Sequence, residues 1–107
     1  MSSKISEIVK SVDPNDKVLK TYPGELEKKY GTLVLSNTRL LFIKEEGFLK
    51  KSYTTTLNHF YTEVKNIVRR GEYLEFTDIK DKVYVFKSEV PAPLVEKSLR
   101  ELIKTPS

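Results

Sequence analysis

Ile5, Ile8, Val9 and Val12 recur at three- and four-residue intervals, with Lys4, Glu7 and Lys10 between them. That spacing gathers the four apolar side chains on one stripe of a helix, the element predicted for residues 1–12. Ser2 or Ser3 can cap its start, and Asp13-Pro14-Asn15-Asp16 ends it. From Lys17 onward the apolar period shortens to two, which is the alternation of strands. Strands are predicted at 18–22 and 25–29, with a bulge or kink at Pro23-Gly24, because proline cannot donate to a ladder and glycine tolerates unusual dihedrals. Further strands follow at 30–36, 39–44, 48–61, 66–70, 72–78 and 82–87. They are punctuated by Asn37-Thr38, Glu45-Glu46-Gly47, Gly71 and Ile79-Lys80-Asp81.

The period then lengthens again. Pro91-Ala92-Pro93 opens a second helix, since a proline in the first turn gives up no intrahelical hydrogen bond. Leu94, Val95, Ser98, Leu99, Leu102 and Ile103 make one face; Glu96, Lys97, Arg100, Glu101 and Lys104 make the other, and Pro106 follows the end. About seven short antiparallel strands closed by one amphipathic helix define a mainly β barrel or sandwich over 17–104, with the N-terminal helix outside it. The expected core is Leu33, Leu35, Leu40, Phe42, Leu57, Ile67, Leu74, Phe76, Val85, Leu99 and Leu102.

One hairpin breaks the clean alternation. Leu33, Leu35, Leu40 and Phe42 point to one side of it, yet Val34, Leu41 and Ile43 on the opposite side are also apolar. A sheet with water on its outer face carries polar residues there. Something therefore covers Val34, Leu41 and Ile43: either the chain's own N-terminal helix, or a partner such as a second copy.

Composition narrows the classes. At 107 residues the chain is expected to be one complete domain. It has no cysteine, which excludes disulfides and points to a reducing, cytoplasmic setting. Met-Ser-Ser-Lys-Ile-Ser does not read as a secretory signal, and no apolar run approaches the roughly 18 residues of a membrane span. Glutamine is absent while lysine and glutamate abound, a bias shared with thermophile proteins. Nineteen basic against fifteen acidic residues leave +4, but the signs are interspersed, as on an ordinary solvated surface.

The run Gly31-Thr-Leu-Val-Leu-Ser-Asn-Thr-Arg-Leu-Leu-Phe42 resembles the second and third strands of pleckstrin-homology-like domains, especially their bacterial and GRAM-type branches. Tyr61-Thr-Glu-Val-Lys-Asn-Ile67 resembles the family's Leu-Ser-Asp-Ile-x-x-Val segment. The resemblance spans 17–104 and implies two bent sheets in a half-open barrel plugged by the C-terminal helix. It also implies a binding module rather than an enzyme. Phosphoinositide-binding members carry basic residues on the first two strands. Here Lys20, Lys28 and Lys29 occupy that region, but Thr32 and Val34 stand where the motif wants cations, and Glu25 and Glu27 lie nearby.

Candidate chemistry is sparse. His59 is the only histidine, and with no cysteine a triad or metal cluster lacks partners. His59 and Glu63 sit four apart, but a strand does not align residues at that spacing, so His59 reads as structural. No glycine-rich phosphate loop occurs, and no cofactor or metal is expected. Two membrane contacts come into consideration: Lys28 and Lys29, and the Gly47-Phe48-Leu49-Lys50-Lys51 segment, whose apolar pair could enter a bilayer while the lysines meet headgroups. The simpler expectation is that Phe48 or Leu49 begins a strand and packs inward. Arg69-Arg70 with Tyr73, and Tyr53 with Lys50 and Lys51, mix cations and aromatics as a single-strand nucleic-acid binder does, but nucleic acid ranks below lipid. The leading expectation is a non-catalytic, cytoplasmic interaction module contacting another protein or itself through Val34, Leu41 and Ile43. Anionic-membrane association is the alternative.

Overall fold

The computed structural model describes residues 3–103; the expected cap at Ser2 or in the Ser3 side chain, and Lys104 and Pro106, lie outside the described residues. Helix α1 (Ser3–Val12) precedes strands β1 (Val18–Leu26), β2 (Lys29–Ser36), β3 (Arg39–Glu46) and β4 (Ser52–Phe60). A 3-10 turn (Tyr61–Glu63) leads into β5 (Val64–Arg70), β6 (Tyr73–Asp78) and β7 (Val83–Ser88), and helix α2 (Ala92–Ile103) closes the chain. The seven strands form one antiparallel sheet in the order β4-β3-β2-β1-β7-β6-β5.

Three places depart from the pattern read off the sequence. The first strand does not break at Pro23-Gly24: its register to β2 runs unshifted from Tyr22↔Leu33 through Gly24↔Gly31, and the irregularity falls between Val18 and Lys20. It ends instead in a two-residue turn at Glu27-Lys28, both with positive φ (53° and 69°), the dihedrals of a type I′ hairpin without its usual Asn-Gly signature. Phe48–Lys51 are not part of β4 at all. They form the loop between β3 and β4.

Gly24 is the hinge of the sheet. It pairs with Gly31 of β2 and with Ser88 of β7, so β1 belongs to both limbs of the sheet there. A Cβ at position 24 would lie 2.4 Å from the Lys87 carbonyl oxygen and 2.7 Å from the Phe86 ring, contacts no alanine could keep. The sheet bends at this point. In a flat sheet β3 and β7, three strand intervals apart, would be separated by roughly 14 Å. Yet the rings of Phe42 and Phe86 meet edge to face at 6.2 Å between centroids.

The fold encloses the main core between its limbs. Leu33, Leu35, Leu40, Phe42, Leu57, Ile67, Leu74, Phe76 and Leu99 are all buried there, and Leu102 packs against it partly buried. Val85 belongs to the opposite face; Tyr84 and Phe86 point inward instead. In α2, Val95, Ser98 and Leu99 face the core, whereas Leu94 is exposed. Ser98 is accommodated because its hydroxyl bonds the Tyr22 hydroxyl at 2.7 Å.

A second core lies on the outside of β2 and β3. Val34, Leu41 and Ile43 are completely buried with Val9 of α1, and Ile5, Ile8, Val12 and Val18 pack around them. The helix is thus part of the folded body, and its stripe is the cover that the two-sided hairpin requires. Expected as a partner surface, Val34, Leu41 and Ile43 present none: their apolar area is already spent on α1.

Candidate docking surface

The turn between β2 and β3 is built from the Ser36-Asn37-Thr38 run that marked the hairpin in the sequence. Asp16, buried between α1 and β1, accepts hydrogen bonds from the Ser36 hydroxyl (2.7 Å), the Thr38 hydroxyl (2.8 Å) and the amides of Lys17 and Asn37 (2.9 Å each). Burial pushes this carboxyl up, but the four donors outweigh it and hold its pKa below the usual value. The Tyr61 hydroxyl donates to the Ser36 carbonyl at 2.6 Å, and its burial pushes the phenol pKa upward. Three segments distant in sequence are tied at this one turn. The serine and threonine are framework.

His59 is likewise tied. The 3-10 turn carries Glu63 back beneath the end of β4, so His59 Nδ1 lies 3.3 Å from Glu63 Oε1, an approach that strand geometry alone excluded. Its Nε2 lies 3.2 Å from the buried Asp78 carboxylate, and Tyr84 adjoins both. Asp78 is raised by burial but lowered overall by the amides of Lys82 and Lys80, then by His59 and Tyr84. Glu63 is lowered first by the Phe60 amide and then by His59. Asp78 was not visible as a partner from spacing, because the fold alone brings β6 to the end of β4. Both ring nitrogens thus face carboxylates, and the cluster joins β4, the 3-10 turn, β6 and β7. Among the described residues no group of histidine, aspartate and glutamate side chains is arranged to hold a metal ion.

The loop between β3 and β4 is the opposite kind of feature. Phe48 and Leu49 are 93% and 94% exposed, nearly as bare as in an unfolded chain. The expected inward packing of these residues does not occur. Gly47, with φ of 109° and the Lys50 carbonyl oxygen 2.2 Å from where a Cβ would sit, starts the loop in a conformation closed to other residues. Because Gly31 pairs with Lys44 and Leu26 with Lys29, the β1–β2 turn lies at the same end of the sheet as this tip. Exposed Lys28, Lys29, Lys50 and Lys51 therefore gather at one end. Lys51 is held by Glu45 at 3.0 Å and Lys44 by Glu46 at 3.4 Å, while Lys28, Lys29 and Lys50 have no ion-pair partner among the described residues. Glu27 is also engaged: its carboxylate accepts the Val85 amide at 2.8 Å and continues the β1–β7 ladder.

The cation–aromatic pairing near β5 looks different in three dimensions. Arg69 pairs with Glu96 at 3.0 Å and Arg70 with Glu75 at 3.2 Å, so carboxylates of the chain itself meet both guanidinium groups. No described helix is long and apolar enough to cross a membrane.

No protein-family model matches the sequence, and no curated protein does. Among solved structures the fold is similar to the crystal structure of the C-terminal domain of an unknown protein from Leishmania infantum. The TM-score is 0.73 at 13% identity, covering 94% of this chain and 99% of that one. At that identity the likeness is one of fold alone. The class defined is a seven-stranded antiparallel sheet with a C-terminal helix packed on it and a short N-terminal helix.

Proposed function

We propose that this chain is a non-catalytic interaction module of the pleckstrin-homology-like class that docks on anionic membrane surfaces through its β3–β4 tip. The order of seven strands and a helix, with the Gly31–Phe42 hairpin motif, supports the class. The observation that carries the docking is the nearly complete exposure of two adjacent large apolar side chains at a protruding tip. Transferring a phenylalanine or leucine side chain out of water is worth roughly 1.5–3 kcal/mol each. Each lysine beside an anionic surface adds about 1 kcal/mol. Lys28, Lys29 and Lys50 supply that attraction, and Glu45 and Glu46 at the same end keep it modest. Binding of this kind is weak and reversible, and no covalent bond is made or broken. Burial of Val34, Leu41 and Ile43 under α1 removes the surface on which contact with another protein had been expected.

Co-sedimentation with vesicles of phosphatidylcholine, with and without phosphatidylserine, tests this reading. The expected result is binding to the anionic vesicles that weakens with salt and falls at least several-fold in a Phe48→Ser/Leu49→Ser double variant. Absence of binding to anionic vesicles at low salt would refute it.

A further inference from the structure

Two tyrosines stand just behind the β3–β4 tip. Glu45 of β3 pairs with Tyr53 of β4, and one residue beyond the Gly31–Lys44 pair Tyr30 of β2 comes up on its other side. The irregularity between β3 and β4 lies between Phe42 and Ile43, so the register at this end is regular. Tyr30, Glu45 and Tyr53 therefore form one row across three strands. The row shares the outer face with Ile43, two residues before Glu45. Helix α1 packs over Val34, Leu41 and Ile43 on that face, but neither tyrosine belongs to that cluster. Tyr30 and Tyr53 remain 46% and 37% exposed. Lys51 is bonded to Glu45 at 3.0 Å, and Glu45 first, then Tyr53 and Tyr30, push its pKa upward. Both rings thus stand near one neutralised pair. Beyond Tyr30 the row continues into Glu25 and Lys87, again opposite charges side by side.

We infer that Tyr30 and Tyr53 are a second layer of the membrane site, set at phospholipid-headgroup depth, and that they lean the outer face of β2–β4 toward the lipid. The inference rests on the docking of the tip on anionic membranes. Depth follows from strand geometry. At about 3.3 Å per residue, the step from Glu45 to Phe48 sets the row at most roughly 10 Å behind the tip. An apolar anchor reaches roughly 5–10 Å into the boundary of headgroups and acyl chains, so the two rings fall among the headgroups. Tyrosine suits that level, with an apolar ring and a hydroxyl that bonds phosphate and ester oxygens. Direction follows from the face. Both rings lie on one side of the sheet, so their contact with lipid tilts the body to that side. Chemistry also favours a bilayer over single-stranded nucleic acid. Lys28, Lys29 and Lys50 suit either partner, but bare Leu49 has no aromatic face for a base, and Glu45 interrupts the path between the rings.

The chain has no tryptophan, so single substitutions give depth reporters in the full chain. Phe48→Trp, Tyr30→Trp, Tyr53→Trp and Phe60→Trp are each mixed with phosphatidylcholine–phosphatidylserine vesicles, plain or brominated at a known depth of the acyl chain. Phe60 ends β4 roughly 20 Å along the strand from Tyr53 and serves as the control. The expected result is strong quenching of Phe48→Trp by bromines within the chains. Tyr30→Trp and Tyr53→Trp should shift to the blue and be quenched only by the shallowest bromines, and Phe60→Trp should not respond. A Tyr30→Ser/Tyr53→Ser variant, its fold checked by circular dichroism melting, should bind the vesicles at least several-fold more weakly, while Tyr30→Trp/Tyr53→Trp retains binding. If Phe48→Trp enters the bilayer while Tyr30→Trp and Tyr53→Trp stay unshifted, the tip reading stands and this inference is overturned. If Phe48→Trp does not enter, the tip reading fails and this inference with it. Fluorescence anisotropy with a labelled single-stranded oligonucleotide tests the other partner. Oligonucleotide binding that the Tyr30→Ser/Tyr53→Ser variant loses, with its vesicle binding unchanged, assigns the rings to nucleic acid and overturns the inference too.

Discussion

Leu41 and Leu49 are eight residues apart on one hairpin, and their surroundings are opposites. Leu41 lies on the outer face of β3, where a regular alternation would place a polar residue, and it is completely buried. Leu49 follows the strand in a run that could have begun the next one, and it is almost fully in solvent. The difference comes from what lies opposite. A stripe of Ile5, Ile8, Val9 and Val12 reaches the outer face of β2 and β3, while Gly47 turns the chain away from any neighbour at the tip. An apolar run in sequence is therefore a demand for cover, and where the chain supplies none the surface remains for something else.

The same substitution at the two sites should break this comparison if it is wrong. Leu41→Ala is expected to cost about 2–5 kcal/mol, the range for emptying a packed aliphatic site. In a domain of this size each kcal/mol corresponds to about 4–8 °C in melting temperature, so thermal denaturation will show it plainly. A variant with wild-type melting would mean that α1 does not seal the outer face.

Asp16 should rank next, because it ties the α1–β1 connection to the turn between the two covered strands. Asp16→Ala leaves two hydroxyls and two amides without their acceptor, at an expected cost of about 1–3 kcal/mol. The carboxyls of Asp16, Asp78 and Glu63 all have folded pKa values below their ordinary ones. Their contribution is therefore complete above the unfolded values, about 3.9 for aspartate and 4.3 for glutamate. It is lost as pH falls through the lower folded values. Melting temperature should decline below about pH 4, and less steeply in the Asp16→Ala variant. A pH profile of the same slope in both would remove Asp16 from the acid response.

The smallest effect sharpens the contrast. Leu49→Ala, or Phe48→Ser with Leu49→Ser, should change stability by no more than about 0.5 kcal/mol, as at other exposed sites. Denaturant unfolding of these variants beside Leu41→Ala measures both halves of the comparison on one scale.

Much of the fold was legible because its elements have strong periods. The stripe of α1, that of α2 apart from the exposed Leu94, the Ser-Asn-Thr-Arg turn and nine of the eleven expected core residues match the structure, since each rests on local spacing. Legibility failed where spacing carried no phase. Val83-Tyr84-Val85-Phe86 is apolar or aromatic throughout, so nothing local said that Tyr84 and Phe86, rather than Val85, face the core. The Glu27-Lys28 turn was hidden because it adopts positive φ without glycine or asparagine. His59 and Glu63 met through a 3-10 turn that breaks the strand between them.

By itself the sequence determined the number and kind of elements, the inner face of the central hairpin, and the need for a cover over Val34, Leu41 and Ile43. These follow from periodicity and burial, which are local properties of the chain. Only the tertiary structure decided that α1 is the cover, that Phe48 and Leu49 stand bare, and that Asp78 reaches His59. Those outcomes depend on which distant segments are brought together: α1 packs on the outer face of β2 and β3, Gly47 turns the tip away, and closure of the sheet carries β6 to the end of β4.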